Sequence, residues 1–344
     1  MEMRRLKTLF YGLTHEHAFG KLETLRRMSD VFEIVGVFDD RTTATRPYFA
    51  DHPACPDGYR VLPEEEALSL ADVDVVFIET TNADLMKAAG HFAERGVPMH
   101  CDKPCGESMD QYRSIVETCR RKNLPFQIGY MYRGNPALKF ARNAVRSGWL
   151  GDIGFIEADM NHDYQLEGYC EYISSFKGGI LYNLGCHLVD LVLSLSDGRL
   201  MSAVPLIGDA PGDPVGSRTS GASILTFERG FRALIRTSSR MPGGIVGRRL
   251  RVDGTNGTLE LCPIERFDGK NLKLEMTLKN PAGGYGAGHN VVDFGVLVDR
   301  YRDQLEDLAR IVRGDKENDQ NYDLDLLVHE TTLKACGIWQ KENR

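Results

Sequence analysis

The stretch LKTLFYGLTHEHAFGKLETLRRM, residues 6–28, decides the fold of the first part of the chain. Its opening run is rich in apolar and β-forming side chains, which predicts a strand over Leu6–Tyr11. Gly12 permits a tight turn after that strand. Apolar side chains then recur at helical spacing from Leu22 to Met28, which predicts a helix with one buried face. A strand, a glycine turn and a helix in this order are typical of a dinucleotide-binding unit.

The turn departs from the dinucleotide fingerprint G-x-G-x-x-G, because only its first glycine, Gly12, is present. Thr14 and His17 occupy the other two glycine positions. Free N–H groups at the start of a helix suit a pyrophosphate, so we predict a cofactor site at Gly12, Leu13, Thr14 and His15. The Thr14 side chain offers a hydroxyl donor but prevents the closest approach of backbone to phosphate.

Four further β-rich runs extend this pattern along the chain. They predict strands at Glu33–Phe38, Val73–Glu79, Val97–Cys101 and Pro125–Met131. Helical patterns lie between these runs, and such alternation is the signature of a parallel sheet covered by helices on both faces. The sequence therefore predicts a doubly wound α/β domain over residues 1–130.

The pattern changes after the segment GYMYRGNPALKFARNAVRSGWLGD. Helices are predicted over Pro136–Trp149 and Asn183–Leu195, together with many strand-like runs separated by turns such as DGTNGT. Two more helices, Val291–Arg313 and Asp323–Gln340, are predicted to close the chain. Residues 131–344 are therefore expected to form a second α/β domain with a large, mainly antiparallel open sheet.

Residues that follow the strands are candidates for the site, because ligands bind open parallel sheets beyond the carboxyl ends of the strands. Asp39 follows the second strand, where a carboxylate accepts hydrogen bonds from ribose hydroxyls. The adjacent Asp40 would repel a 2′-phosphate, which favours NAD over NADP, although Arg41 and Arg46 could reverse this preference. The alternative is that FDDR is only a polar turn.

Two later strand ends carry the runs ETTNADL and HCDKPCG. We predict that both runs contribute to the cofactor site, through Thr80, Thr81, Asn82, Asp102 and Lys103. A lysine between a β-run and a proline is difficult to place on an exposed helical face, so Lys103 is expected to point into the crevice. An ordinary surface lysine is the alternative.

Polar residues interrupt the apolar segment ILYNLGCHLVDLVLSL at Asn183, His187 and Asp190. On a helix this spacing puts all three on one face. Because buried polar groups need partners or a cavity, these residues are candidates for a site. The alternative makes Asn183 a helix N-cap and His187 a hydrogen-bonded core histidine. The same interruptions argue against a plain membrane span.

Composition excludes several classes of protein. At 344 residues, with 42% apolar and 26% charged side chains, the chain is typical of a globular protein with two domains. A net charge of −7 argues against a nucleic-acid partner, which would require clustered Lys and Arg. The chain has 8 cysteines and no C-x-x-C pair, and its apolar N-terminal run is too short for a signal peptide, so we expect reduced thiols and a cytoplasmic protein without a membrane partner.

In this order and at these spacings, the motifs resemble those of the glucose-fructose oxidoreductase/inositol dehydrogenase/MocA family. TTNADL stands where the family tends to carry T-P-N-x-x-H, and CDKP stands where it carries E-K-P. GGILYNLGCHLVD is similar to the family's G-G-x-x-x-D-x-G-x-H-x-x-D. GYMYRGNPALKFARNAVRSGWLGDI is similar to the segment that joins the family's two domains, so the resemblance runs through most of the chain.

The resemblance implies an N-terminal Rossmann domain and a C-terminal α/β domain whose open sheet often forms an oligomer interface, here of a dimer or tetramer. It also implies hydride transfer between NAD(P) and a sugar, polyol or cyclitol-like alcohol. The family's catalytic lysine and histidine correspond to Lys103 and His187, of which His187 would act as the base while Lys103 donates to the substrate oxygen. Position in the inferred fold suggests the residues that line the substrate pocket, which are Tyr130, Arg133, Asn161 and His162.

Asn183 departs from the family, which commonly has Asp at this position, and an amide can orient His187 without supplying charge. Alternative functions are therefore a cofactor-binding sensor or scaffold without turnover, or an NAD-dependent glycosidase-like lyase. His15 and His17, beside the missing glycines, either line the nicotinamide side of the crevice or cap the helix. No metal site is expected, because HEH lacks zincin spacing and no Cys/His cluster completes a site.

Overall fold

The computed structural model describes residues 4–41, 58–164, 168–196 and 198–339, so Arg46 lies outside the described residues. The chain divides into two compact units. The first comprises Met1–Tyr130 and Tyr301–Leu326, and the second comprises Met131–Arg300 and Leu327–Arg344. The sequence predicted a second domain that is continuous over residues 131–344, whereas in the structure the segment Tyr301–Leu326 belongs to the first unit.

The first unit contains a parallel sheet of six strands in the order β3-β2-β1-β4-β5-β6. The strands are β1 Leu6–Tyr11, β2 Phe32–Phe38, β3 Val61–Leu62, β4 Val75–Ile78, β5 Met99–Cys101 and β6 Phe126–Ile128. The strand order reverses between β1 and β4, which is the place where such sheets bind ligands. The doubly wound Rossmann prediction is confirmed.

Helices of the first unit follow its strands. They are α1 Ala18–Arg27, α2 Glu64–Ser69, α3 Leu85–Arg95 and α4 Met109–Arg121. Ser108 caps α4, since its hydroxyl accepts a hydrogen bond from the Gln111 N–H at 3.3 Å. β4 is buried along its whole length, as expected of a central strand with both faces covered, and this is why its sequence is a continuous apolar run.

The second unit contains an eight-stranded sheet in the order β14-β13-β12-β11-β7-β10-β9-β8. Its strands are β7 Ile153–Asn161, β8 Leu200–Gly208, β9 Ser220–Phe227, β10 Arg232–Ser238, β11 Arg249–Gly254, β12 Gly257–Leu261, β13 Asn271–Leu278 and β14 Gly288–Val296. Only β7 and β10 pair in parallel, and the other neighbours are antiparallel. Residues of β13 alternate between exposed and buried, so one face of this strand is solvated. The prediction of a mainly antiparallel open sheet is confirmed.

Four helices of the second unit precede most of its sheet in sequence. They are α5 Pro136–Arg146, α6 Tyr169–Ser174, α7 Gly179–Asn183 and α8 Gly185–Leu195. The sequence predicted one helix from Asn183 to Leu195, but Leu184, with φ −100° and ψ −36°, separates α7 from α8. α8 is buried along its length and packs on β7 and β10, which explains its almost uninterrupted apolar sequence.

The predicted helix over Val291–Arg313 is wrong in its first part. Residues Gly288–Val296 form β14, which pairs antiparallel with β13, and only Arg302–Arg313 form a helix, α9. β-branched and aromatic residues of β14 favour a strand when a partner strand is available. The final helix, α10, covers Tyr322–Ala335. Within the described residues, no helix combines the length and the apolar character needed to cross a bilayer.

Candidate functional site

Gly12 forms the turn at the end of β1 with a φ of +98°, in the left-handed region that favours glycine. A Cβ at this position would lie 2.6 Å from the Thr80 nitrogen and 2.7 Å from the Glu79 carbonyl carbon. The turn therefore packs directly on the backbone at the end of β4, and a side chain at position 12 would push these two strand ends apart.

Asp40, rather than Asp39, lies on this turn. Its Oδ1 accepts hydrogen bonds from the Leu13 N–H at 2.6 Å and the Thr14 N–H at 3.1 Å, and its Oδ2 accepts one from the Thr14 hydroxyl at 2.5 Å. The N–H groups that were predicted to face phosphate therefore donate to a carboxylate. Burial raises the pKa of Asp40. Asp39 instead holds Arg41, whose guanidinium donates through Nε and Nη2, each at 2.7 Å.

His15 and His17 contact strand-end residues of the first unit. A carbonyl oxygen only accepts, so His15 Nε2, at 2.8 Å from the Lys103 carbonyl oxygen, carries a proton. His17 Nδ1 lies 3.1 Å from Asp102 Oδ2. Burial lowers the pKa of His17 to about 4, against the opposing effect of Asp102. The His17 side chain makes no capping hydrogen bond to α1, so the structure does not support the capping alternative for this residue.

A buried cluster of charges lies beside these histidines. Lys21 Nζ is 2.8 Å from Glu79 Oε1 and 2.5 Å from Asp102 Oδ2, and all three side chains are fully buried. Burial alone would raise the pKa of Asp102, but His15 and Lys21 hold it well below its usual range. Burial and the neighbouring Asp102 raise the pKa of Glu79 well above its usual value. Of the two neighbouring carboxyl groups, Asp102 is therefore the one that the cluster favours in its charged form.

Gly129 leaves the space that this cluster occupies. A Cβ at that position would lie 2.7 Å from Asp102 Oδ1 and 3.1 Å from Lys21 Nζ. The glycine after β6 is thus required by the polar groups packed against it, because polar atoms at the centre of a charge network cannot move aside without losing their hydrogen bonds.

Lys103 follows β5 and is fully buried. Its Nζ donates to Glu16 Oε1 at 2.7 Å, and its backbone N–H donates to Asp102 Oδ1 at 2.7 Å. Burial alone would raise the pKa of Glu16, but Lys103 and His17 hold it well below its usual range. The ammonium and carboxylate therefore form a charged pair, and the surface-lysine alternative for Lys103 is wrong.

The other predicted residues of the first unit lie near the same strand ends. Thr80 and Asn82 are buried after β4, and Tyr130 is buried after β6. The Thr81 hydroxyl donates to Asp84 Oδ2 at 2.6 Å in the turn before α3.

In the second unit, Asn183, His187 and Asp190 are all fully buried or nearly so. The imidazole of His187 lies 5.5 Å from the Tyr132 ring, measured between centroids. Arg133 donates to Asp190 Oδ1 through Nε at 2.9 Å and Nη2 at 2.6 Å, so this carboxylate is neutralised by a neighbour. The break at Leu184 places Asn183 at the end of α7 and His187 in the first turns of α8.

In the same unit, Asn161 is the last residue of β7, and His162 follows it. The Asn161 side chain is fully buried, and neither of its amide atoms has a hydrogen-bond partner among the described residues. His162 Nε2 accepts from Arg248 Nη2 at 2.7 Å, and its ring stacks on Tyr164 with 4.1 Å between centroids. A guanidinium only donates, so His162 Nε2 is unprotonated here.

Sequence reasoning missed several buried charged groups. They are Glu16, Lys21 and Glu79 in the first unit, and Arg248 and Glu265 in the second. The sequence could have indicated that Lys21 is buried, because it lies next to Leu22 on the helix face that also carries Ala18 and Leu25. A solvated lysine is not expected on the apolar face of a helix. Arg248 and Glu265 lie far apart in sequence, and no local pattern marks them.

One group of side chains has the composition of a metal site. The ligand atoms of His15, His17 and Asp102 lie within 4.8 Å of one another. The Lys21 ammonium, 2.5 Å from Asp102 Oδ2, already supplies a positive charge at this carboxylate. A divalent ion would have to displace that ammonium, so the cluster as it stands is held together by lysine.

Comparison with known proteins gives a consistent assignment. A profile described as "Oxidoreductase family, NAD-binding Rossmann fold" matches residues 15–130, and one described as "GFO/IDH/MocA C-terminal domain" matches residues 138–260. A parallel sheet whose strand order reverses between β1 and β4, with a glycine turn after β1, fits a dinucleotide. The cofactor is NAD(P).

Relatives and a solved structure agree with these profiles. The chain is 25% identical to D-apiose dehydrogenase of Paraburkholderia graminis over 267 aligned residues. The aligned stretch covers 75% of this chain and 67% of that protein. It is 27% identical to D-xylose 1-dehydrogenase (NADP(+)) 2 of Haloferax volcanii, covering 79% of each. GenD2 from gentamicin A biosynthesis, solved in complex with NAD, has the same fold, with a TM-score of 0.74 at 18% identity over 97% of this chain and 94% of that chain. The chain belongs to the GFO/IDH/MocA family of NAD(P)-dependent oxidoreductases.

Proposed function

We propose that this protein transfers a hydride between NAD(P) and an alcohol carbon of a sugar, polyol or cyclitol-like substrate. The observation that carries the proposal is the fully buried ammonium of Lys103 at the end of β5, in the unit whose fold binds the cofactor. A buried, charge-paired lysine at a ligand-binding strand end is a candidate for catalysis. The substrate class follows the printed names of the relatives, which are dehydrogenases of D-apiose and D-xylose.

Lys103 and His187 have different roles in this proposal. Bound NAD(P)⁺ supplies the hydride acceptor. The Lys103 ammonium donates a hydrogen bond to the substrate oxygen and stabilises the negative charge that develops there. His187, as a neutral imidazole, takes the hydroxyl proton. Asn183 is one turn before His187 in sequence and would orient the ring by hydrogen bonding without favouring the imidazolium electrostatically.

Substrate hydroxyls require polar partners in the second unit, and Asn161 offers them. Its amide oxygen and nitrogen are buried and have no partner among the described residues. An unsatisfied buried amide is costly, so a ligand that bonds to both atoms gains affinity and specificity. Arg133 and His162 are already paired, with Asp190 and Arg248 respectively, so we assign them a supporting role in the substrate pocket. Tyr130 stays a candidate by position alone.

We assign the ribose-binding role to Asp40 and a preference for NAD over NADP. Its carboxylate is held on the turn itself by bonds from Leu13 and Thr14, whereas both oxygens of Asp39 pair with the Arg41 guanidinium. A negative charge at the ribose end of the site disfavours a 2′-phosphate.

We also propose that the open sheet of the second unit forms a homo-oligomer interface. Val204 of β8 pairs across strands with Ile224 of β9, and both side chains are exposed, as is the nearby Leu206. Exposed apolar side chains that group on one sheet surface favour association. Light scattering of the purified protein, compared with a Val204→Lys variant, tests this point, and an unchanged monomeric mass in both would contradict it.

The experiment for the proposed function begins with cofactor binding. Titration with NADH and NADPH, followed by fluorescence transfer, should give micromolar or tighter binding of NADH. The protein with NAD⁺ or NADP⁺ is then mixed with a panel of aldoses, polyols and cyclitols while absorbance at 340 nm is recorded. Turnover of at least one panel member supports the proposal. Binding of NADH without turnover of any member would favour the sensor alternative.

Variants identify the residue that carries the activity. Lys103→Met should lower kcat by about 10²–10⁴ on the substrate found in the panel, as expected for loss of a positioned acid–base group. Lys87→Met is the matched control, because Lys87 is exposed on α3 and its loss should leave kcat unchanged. Equal activity of both variants would refute the assignment of Lys103.

A further inference from the structure

The turn that replaces the glycine-rich loop brings a carboxylate to the proposed catalytic lysine. Glu16 lies directly before His17, which occupies the third glycine position of the fingerprint, and its Oε1 is 2.7 Å from Lys103 Nζ. The pair is buried, with exposed side-chain fractions of 6% for Glu16 and 0% for Lys103. A buried ion pair with this geometry is strongly coupled, because water screens it poorly.

We propose that Glu16 is a positioning residue for Lys103, whose carboxylate keeps the ammonium charged and directs it toward the turn after β1. This inference rests on the proposed function only for its catalytic consequence, since the pairing itself exists in the free protein. An ammonium has three donors, so its bond to Glu16 is compatible with a further bond to a substrate oxygen.

The need for such a counter-ion follows from the surroundings of Lys103. Burial disfavours the charged form of an amine, and a neutral amine would be a weaker hydrogen-bond donor to an oxygen that gains negative charge. The Glu16 carboxylate accepts directly from the Lys103 ammonium at 2.7 Å, while Asp102 accepts from the Lys103 backbone N–H. Glu16 is therefore the group best placed to hold the proton on Lys103.

Other charged and titratable groups contact this pair or its neighbours. His17 Nε2 lies 3.9 Å from Glu16 Oε1, and Asp102 accepts from the Lys103 N–H. His15 and His17 belong to the same turn, Lys21 to α1, Glu79 to the end of β4 and Asp102 to the end of β5. The phenol-bearing ring of Tyr301 lies 5.9 Å from the His17 ring. The Asp102 carboxylate is already neutralised by the Lys21 ammonium at 2.5 Å, so Asp102 cannot substitute for Glu16 as the counter-charge to Lys103.

The primary experiment measures the protonation of Lys103 in the free, full-length protein. Lysine labelled with ¹³C at Cε is incorporated, the Lys103 resonance is assigned by its absence in Lys103→Met, and its chemical shift is followed against pH. In Glu16→Gln the titration midpoint should fall by roughly one pH unit or more, because an opposite charge at this distance shifts a pKa by about 1–3 units. Glu16→Asp should keep part of the wild-type midpoint.

A matched control comes from a surface pair of the same residue types. Glu94 lies 3.5 Å from Lys122, and the Glu94 side chain is 72% exposed, so Glu94→Gln should leave the Lys103 midpoint unchanged. If Glu16→Gln leaves the midpoint where it is in the wild type, the proposal is wrong. Because this readout needs neither cofactor nor substrate, a shifted midpoint in a protein that shows no turnover would uphold Glu16 and count only against the proposed function.

The kinetic consequence separates positioning from a merely structural role. On a substrate that the wild type oxidises, Glu16→Gln should move the alkaline limb of kcat to lower pH, and Glu16→Asp should restore part of it. A uniform loss of activity at every pH, with Glu16→Asp no better than Glu16→Gln, would show that Glu16 acts only on folding and would overturn the positioning role.

Discussion

Each unit of the molecule contains a buried cation, and the two are built differently. In the first unit, Lys21 lies between Asp102 and Glu79, and these carboxyl groups come from the ends of neighbouring parallel strands. In the second unit, Arg248 contacts Glu265 and His162, which come from a loop and the end of a strand far apart in sequence. In a parallel sheet the carboxyl ends of all strands lie at the same end of the sheet, so the polar residues that follow them come together there. In a mainly antiparallel sheet the carboxyl ends alternate between the two ends of the sheet.

The largest expected effect concerns the two proposed catalytic residues, Lys103 and His187. Lys103→Met and His187→Ala should each lower kcat by about 10²–10⁴. Groups that act as a unit are strongly non-additive, so the double variant should lose far less than the product of the two single losses.

A double-mutant cycle measured under saturating cofactor and substrate gives this coupling. The exposed Lys87→Met combined with His187→Ala supplies the control, in which the losses should simply multiply. Multiplicative losses for Lys103 and His187 as well would mean that the two residues do not serve the same step.

Removal of the buried cations tests the comparison between the units through stability. Lys21→Met leaves the buried Asp102 charge without its ammonium, whereas Arg248→Met removes one of two guanidiniums from Glu265 and leaves Arg300 at 3.3 Å, so the loss should be smaller for Arg248→Met. Breaking a buried pair in this way costs about 3–5 kcal/mol in the free energy of unfolding. Urea unfolding measures both losses.

Lys273→Met is the control for both variants. Its ammonium lies 3.8 Å from Asp293 on the surface of β13, and loss of such an exposed pair should cost at most about 1 kcal/mol. Should Lys21→Met cost no more than this control, the cluster in the first unit would not depend on its lysine.

The difference between the units also explains what the sequence could predict. Alternating β-runs and helical patterns predicted the parallel sheet, and the residues after its strands, from Gly12 to Lys103, became candidates because strand ends are the expected place for ligands. Glu16 and Lys21 were missed, since a charged residue on a helix or turn is usually solvated and only the packed structure reveals its partners.

In the second unit the sequence predicted the type of sheet but not all of its elements. The residues of β14 were assigned to a helix because their apolar spacing also fits a helical period, and pairing with β13 decides the outcome. Asn183 and His187 were expected on one helix, but the chain breaks at Leu184. Such outcomes depend on tertiary contacts, which a local pattern does not contain.

Acid should destabilise the first unit through its buried histidines. Burial lowers the pKa of His100 to about 3 and that of His17 to about 4. Both values lie below the ordinary value of about 6.5, so the folded state binds fewer protons than the unfolded chain between these limits. Stability is therefore complete above pH of about 6.5 and is lost as the pH falls, by on the order of 2 kcal/mol for each histidine at pH of about 5.

The raised pKa of Glu79 acts in the opposite direction, because its contribution to stability is lost as pH rises. The informative quantity is therefore the difference between variants in urea unfolding at pH 7 and at pH 5. His100→Gln should lose less stability on acidification than the wild type. His91→Asn, which removes an exposed imidazole on α3, is the control. An identical pH dependence for His100→Gln and the wild type would contradict this account.

The smallest expected effect is on the choice between NADH and NADPH. Asp40→Asn removes the charge from the turn after β1, so the ratio of the NADPH and NADH dissociation constants should fall by on the order of tenfold. Asp39→Asn is the matched variant, and fluorescence titration measures both. A larger change for Asp39→Asn would return the ribose-binding role to the residue that the sequence first indicated.

Lys103 is proposed to act on the reacting substrate and not on cofactor affinity. The most direct measurement compares wild type and Lys103→Met in a single turnover at 340 nm with saturating NAD⁺ and sugar or polyol, together with NADH titration of both proteins. Lys103→Met should lower the hydride-transfer rate by about 10²–10⁴ and change the NADH dissociation constant by no more than about threefold. An unchanged transfer rate, or a loss explained entirely by weaker NADH binding, would contradict it.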